Sequence, residues 1–187
     1  IIIPGYTYMA TATAVLAVGA IPVIVDIDET QTISPDAVTA AITPHTRAVM
    51  PVHINGFPSD MDKICEIAKR HNLYLIEDAC QSVGGSYHGK RLGTIGDMGA
   101  YSFNHYKIIS CGEGGAVLTN NEKYYQRALI YHDTGTAYRP YAGSITEPIY
   151  SSFNMRSNEI SGAILRVQLG RLDGILSDLR LIKKKMM

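Results

Sequence analysis

The chain has 187 residues, with 17 Lys and Arg against 17 Asp and Glu, so its net charge is zero and the basic excess of a nucleic-acid-binding surface is missing. That length suits one domain of ordinary size with a substantial core. Its three cysteines, Cys65, Cys80 and Cys111, have no CxxC spacing; they form neither a disulfide framework nor a zinc site and suit a reducing, cytoplasmic compartment. No charged residue precedes Asp26, but Thr11, Thr13 and the break Gly19-Ala20-Ile21-Pro22 interrupt the apolar stretch. It falls short of the ~20 apolar residues of a membrane span, and no basic start marks a secretory leader. Neither is expected. The chain opens at Ile1 in what reads as the end of a strand, and an excerpt of a longer protein is expected.

Ile1-Ile2-Ile3 is a β-branched run closed by Pro4-Gly5. Tyr6 to Val18, rich in Ala and Thr, reads as a helix stopped by Gly19. Pro22 to Asp28 reads as a strand. Ser34-Pro35-Asp36 opens a helix as N-cap, N1 proline and first-turn acid, running to about Ile42. Arg47 to Ile54 reads as a buried strand and Asp60 to His71 as an amphipathic helix with Met61, Ile64, Cys65 and Ala68 on one face. Leu73 to Asp78 is a strand ending in two acids. Gly84 to Gly96 reads as a loop, Gly99 to Phe103 and Ala116 to Thr119 as strands, and Glu122 to His132 as a helix. Gly135 to Ser151 is an irregular Tyr/Gly/Pro-rich stretch, and a long helical pattern starts at Ser157. Strands and helices alternate, and the early strands are continuous apolar runs. The expected fold is α/β in three layers: a mostly parallel sheet with helices on both faces.

Lys107 is the only charged side chain between Met98 and Gly112 with His105 taken as neutral, and Gly112-Glu113-Gly114-Gly115 follows it. Lysine is strongly hydrated and is seldom set in apolar surroundings. A partly buried lysine becomes a nucleophilic amine at neutral pH, which a Schiff base requires. The plain alternative is a lysine that caps a strand and points to solvent. Ligands of an open parallel sheet gather at the carboxyl ends of its strands. Leu73–Ile76 delivers Glu77-Asp78-Ala79-Cys80-Gln81 to that edge, and the next strand delivers Ser102 and Lys107. A carboxylate and a lysine converging there suit pyridoxal 5'-phosphate (PLP). The lysine forms the imine, and the carboxylate keeps the pyridine nitrogen protonated. Taken singly, Asp78 also reads as a helix N-cap and Gln81 as a surface residue. His53 and His105 read as structural groups before acids or bases. Asp26 and Asp28 read as turn and cap residues, so no metal is expected. Lys183-Lys184-Lys185 reads as a solvated helix end.

Glu77-Asp78-Ala79-Cys80-Gln81, then Tyr101-Ser102-Phe103-x-x-x-Lys107, then Gly112-Glu113-Gly114-Gly115-Ala116-Val117 resemble the DegT/DnrJ/EryC1/StrS family of PLP-dependent sugar aminotransferases of fold type I. Pro4-Gly5-Tyr6-Thr7-Tyr8-Met9-Ala10-Thr11-Ala12 is similar to that family's opening aromatic-Thr-aromatic segment. Pro51 to Gly56 with Asp60-Met61, and Ser152 to Asn158, are similar to its later segments. The resemblance implies that Lys107 is the Schiff-base lysine and proton shuttle. It implies that Asp78 pairs with the pyridinium nitrogen, Gln81 touches the ring hydroxyl and Ser102 binds the phosphate. Tyr8 would stack on the ring, and Asn154 would reach the phosphate of a neighbouring subunit in a homodimer with shared active sites. For Tyr8 core packing stays open, and for Asn154 a local cap.

The resemblance also implies a division of the chain. Residues 1–134 would be the PLP-binding large domain without its N-terminal part, 135–156 a loop at the active site or dimer interface, and 157–187 a helix leading to an absent small domain. Family members are roughly twice this length, so a chain this short is expected to turn over little while an excerpt's parent is active. The implied reaction moves an amino group from glutamate or glutamine to a keto-sugar. The segment His132 to Arg139 departs from the family's usual histidine-glycine pattern and leans toward an eight-carbon keto-sugar acid over a nucleotide-linked sugar. Three rivals stand beside this. Sugar dehydratases of the family resemble a pattern with histidine at the lysine position, from which Lys107 departs. A regulatory module that binds PLP or a sugar would carry an added DNA-binding segment or basic patch. A plain nucleotide-binding domain would show GxGxxG after a strand, and none stands there.

Overall fold

The computed structural model describes residues 1–135 and 144–186, so Thr136 to Arg139 of the departing segment lie outside the described residues. In chain order, β1 (Ile2–Pro4) leads through a turn into α1 (Ala10–Ala17) and back to β2 (Val23–Val25). α2 (Pro35–Ala41), β3 (Ala48–Val49), a 3₁₀ turn at Ile54–Gly56, α3 (Met61–Arg70) and β4 (Tyr74–Asp78) follow. Then come a small hairpin of β5 (Ser86–Tyr87) and β6 (Lys90–Arg91), β7 (Met98–Ser102), β8 (Gly115–Leu118), α4 (Glu122–His132) and α5 (Glu159–Met186). The main sheet has the order β2-β1-β3-β4-β7-β8; β8 alone is antiparallel to its neighbour.

Local chemistry sets the boundaries. Ser34 Oγ accepts from Ala37 N–H at 3.3 Å, Asp60 Oδ1 from Lys63 N–H at 3.1 Å and Asn121 Oδ1 from Tyr124 N–H at 3.2 Å, each capping its helix. α4 occupies the residues expected of it. α1 starts four residues later than the Ala/Thr-rich stretch suggests, because Thr7 to Met9 form a turn at the carboxyl end of β1 and no side chain caps the helix. The strand expected over Arg47–Ile54 reduces to Ala48–Val49 with an isolated bridge from Val52 to Asp78. Pro51 has no N–H for the ladder and offers only its carbonyl, to Asp78 N–H at 2.9 Å. The stretch read as a loop from Gly84 to Gly96 contains the β5–β6 hairpin. Its turn residues His88 and Gly89 both have positive φ, 48° and 80°, as a type I′ turn demands.

The chain steps one way along the sheet from β1 to β2 and the other way from β2 to β3 to β4. Right-handed crossovers therefore put α1 on one face and α2 and α3 on the other. The α2–α3 face is sealed: Ile2, Val25, Val49 and Leu75 pack against Val38, Met61 and Ile64. On the α1 face, Thr11 and Val15 are the helix's buried residues, while Ile24 of β2 stays 66% exposed. A second cluster of Val83, Phe103, Ile109 and Cys111 packs against Leu165, Leu172 and Ile175 of α5. That helix spans about 42 Å at 1.5 Å per residue.

Candidate active site

The ends of β4 and β7 lie side by side. Glu77 pairs with Gly99 and Asp78 with Ala100 in parallel register. Side chains alternate between faces, so Asp78, Ala100 and Ser102 share one face, and Glu77, Gly99 and Tyr101 the other. Asp78 is half-buried, and both its oxygens accept: Oδ2 from the Thr11 hydroxyl at 2.7 Å, Oδ1 from Cys80 N–H at 3.2 Å. No helix follows Asp78, so it closes a short turn and is not an N-cap. Gln81 Oε1 accepts from Asn55 N–H at 2.9 Å. With its oxygen engaged, the side chain has its NH₂ left to donate, and Asn55 reaches this position with φ at 51°, a conformation asparagine tolerates.

Lys107 is half-buried in the loop between β7 and β8. Phe103 N–H to Gly114 O at 2.8 Å and Cys111 N–H to Phe103 O at 3.0 Å pinch the base of that loop. Phe103 and Ile109 anchor it in the second core cluster. Within the loop, Lys107 N–H donates to Asn104 O at 2.9 Å, and the Asn104 amide donates to Glu113 Oε1 at 2.6 Å. Glu113, which sequence reasoning left without a role, thus fixes the loop's opening turn, and His105 Nδ1 lies 3.7 Å from the same oxygen. Ser102 Oγ accepts weakly from Asn104 N–H at 3.4 Å. Cys80 ties the two strand ends together. Burial first, then the Asp78 carboxylate, push its thiol up to about 12, while Lys107 acts in the opposite direction. The lysine's charge therefore acts on the thiol that Asp78 also faces.

Tyr8 is 69% exposed in the turn after β1, so it is not a core residue. Asn154 lies elsewhere: it bridges to Asp133 past the end of α4, and its Oδ1 accepts from Arg156 N–H at 3.2 Å, beside the Arg156–Asp133 ion pair. Asp78 and Ser102 stand at two adjoining strand ends, Gln81 lies in the turn that follows Asp78, and Lys107 lies in the loop that follows Ser102. Thr11 links the Tyr8 segment to them, and no contact among the described residues links Asn154.

Sequence reasoning missed a second network directly behind the first. Glu77 is fully buried; its Oε1 accepts from Ile95 N–H at 2.6 Å and Gly96 N–H at 2.7 Å, and its Oε2 from Gly93 N–H at 2.7 Å. His53, also fully buried, lies 3.0 Å from Oε2. Its Nδ1 accepts from Ser59 N–H at 3.2 Å, so Nε2 carries the ring proton and donates to Glu77. Burial alone would raise the Glu77 pKa; the bonds from His53, Gly96, Gly93 and Ile95 more than reverse this and hold it below the ordinary carboxylate value. The 93–96 loop reaches Glu77 only because Gly99 has no side chain: a Cβ there would lie 2.0 Å from Gly93 O. The signal was available in strand alternation, which places His53 and Glu77 on one face. His53 is thus a satisfied structural group. A cleft of about 540 Å³ lined by Thr43, Arg47, His71 and Leu73 opens at the opposite, amino edge of the sheet and contains none of the groups at the strand ends.

The profile of the DegT/DnrJ/EryC1/StrS aminotransferase family matches residues 1–185. The chain belongs to this family. A GDP-perosamine synthase of Caulobacter vibrioides is 43% identical over 176 residues, covering 92% of this chain and 46% of the relative. Among solved structures, S. venezuelae DesV in complex with a ketimine intermediate superposes with a TM-score of 0.83 at 39% identity, over 92% of this chain and 46% of that one. An E. coli GDP-4-keto-6-deoxy-D-mannose-3-dehydratase with bound hydrated PLP superposes at 0.81 with 29% identity, over 92% and 48%. The chain thus spans about half the length of these DegT-family relatives. They share its fold, an α/β architecture around a mostly parallel sheet.

Proposed function

We propose that this DegT-family protein is a PLP-dependent aminotransferase that moves an amino group from glutamate or glutamine to a ketone on a sugar. The observation that carries this is the meeting of the Lys107 loop, Asp78 and an oriented Gln81 at the ends of β4 and β7. The donor set fits the cofactor: an amine, a carboxylate, an amide NH₂ and a hydroxyl, with an open aromatic ring nearby. PLP, when bound, supplies an electron sink for the substrate carbon that loses a proton. Lys107 Nζ would hold the cofactor and move the proton, Asp78 would pair with the ring nitrogen, the Gln81 NH₂ would donate to the ring hydroxyl oxygen, the Ser102 hydroxyl would bind the phosphate and Tyr8 would cover the ring face.

Asn154, exposed beside Asp133, would contact the phosphate in a second subunit, which makes the working unit a homodimer with shared sites. Residues 1–134 are read as the large domain, 135–156 as a loop at its site or interface, and α5 as the lead into a small domain, in keeping with relatives twice as long. No helix among the described residues is long and apolar enough to cross a membrane, and the cysteine pattern suits the cytoplasm. The relatives' names favour a nucleotide-linked keto-sugar over the eight-carbon acid. Lys107 separates this reading from dehydration, which would release a deoxy-keto-sugar in place of an amino-sugar. The test is to load the protein with PLP, reduce with borohydride and map peptides. Pyridoxyl on Lys107 alone is expected; a label absent or scattered over other lysines overturns the reading.

A further inference from the structure

Thr11 is a buried hydroxyl, 3% exposed, in an otherwise alanine-rich helix, and the reading above gives it no role. Its Oγ1 lies 2.7 Å from Asp78 Oδ2 and 2.7 Å from Thr7 Oγ1. A hydroxyl has one proton, and an ionised carboxylate can only accept. Thr11 therefore donates to Asp78 and accepts from Thr7, so the proton direction is set along the whole chain: Thr7 to Thr11 to Asp78. Cys80 N–H holds the other carboxylate oxygen, so the plane of the carboxylate is fixed from two sides. Thr7 is one residue from Tyr8 and half-buried in the turn at the end of β1. A single chain of hydroxyls thus joins the carboxylate at one strand end to the segment that carries the exposed aromatic ring at another.

We propose that Thr11, with Thr7 behind it, is a positioning residue that sets the Asp78 carboxylate toward the cofactor's ring nitrogen and ties the Tyr8 segment to it. This rests on the PLP reading. Neither threonine touches the reacting atoms. Thr11 acts through Asp78, and Thr7 acts through Thr11.

The experiment compares Thr11→Val, Thr11→Ser and Thr7→Val in the full chain, reading the PLP dissociation constant, the near-visible band of the bound cofactor and the melting temperature. A hydrogen bond to a charged group predicts that Thr11→Val weakens PLP binding about tenfold to a hundredfold and shifts the band. Thr11→Ser keeps the hydroxyl and restores both, and Thr7→Val gives a smaller change in the same direction. A packing role predicts the reverse order: Val, which keeps the branched shape, would behave as wild type, and Ser, which leaves a void, would be the weaker protein. That order, or a Thr11→Val protein with unchanged affinity and band, overturns the relay. A wild-type chain that takes no borohydride-fixed cofactor overturns the PLP reading itself, and the relay with it.

Discussion

Glu77 and Asp78 are consecutive carboxylates at the end of one strand, and they live in different surroundings. Glu77 faces the sealed side of the sheet, fully buried, with three backbone N–H groups and His53 directed at it. Asp78 faces the side that carries α1, half-buried, with two donors. The pleat alone produces the division, because a strand turns successive side chains to opposite faces. One acid closes the structure, and its neighbour is the one proposed to meet a ligand. The difference shows that an acid pair at a strand end need not be a catalytic pair.

Substitutions can break the comparison. Lys107→Ala should have the largest effect. It should remove amino transfer by at least ~10²–10⁴-fold, the range for loss of a proton-transfer group, while the melting temperature stays near wild type. Full-rate transamination by that variant would end the mechanism. Glu77→Ala should do the opposite. Removing one partner of a buried polar pair costs roughly 3–5 kcal/mol, a fall in melting temperature on the order of 10 °C, with cofactor affinity retained in the molecules that remain folded. Unchanged thermal stability would show that Glu77 is not the brace described.

The pH dependence of stability sharpens the same contrast. Burial opposes the Glu77 charge, but the four donors hold its pKa below the ordinary carboxylate value. Its contribution is therefore complete above the ordinary carboxylate pKa and is lost as pH falls through the lower, folded value. Denaturant melts across the acid range should show a flatter acid limb for Glu77→Gln than for wild type. A limb of equal steepness would locate the acid sensitivity elsewhere. The smallest effect is expected at Gln81. Gln81→Leu should weaken PLP binding about tenfold, the worth of one hydrogen bond to a charged partner, and equilibrium dialysis would measure it.

The parts of the fold legible in the sequence were those written locally. Ser34, Asp60 and Asn121 announce their helices because a cap needs only its own next turn. Asp78, Gln81, Ser102 and Lys107 were grouped from the sequence because neighbouring parallel strands deliver their carboxyl ends to one edge, and β4 and β7 are such neighbours. What stayed hidden depends on distant partners. Thr11 meets Asp78 across 67 residues, and nothing in an alanine-rich helix marks which threonine does so. Three of the four donors to Glu77 are backbone groups of residues 93, 95 and 96, which carry no side-chain signature. The hairpin was missed because its turn is His88-Gly89, with histidine standing where asparagine or aspartate usually signals the positive φ.

The most direct test of the division between the two acids is magnetic resonance of PLP isotope-labelled at its ring nitrogen and bound to the protein. The account predicts a protonated ring nitrogen in wild type and in Glu77→Gln, and loss of that proton in Asp78→Asn. A ring nitrogen that changes with Glu77→Gln and stays protonated in Asp78→Asn would contradict it.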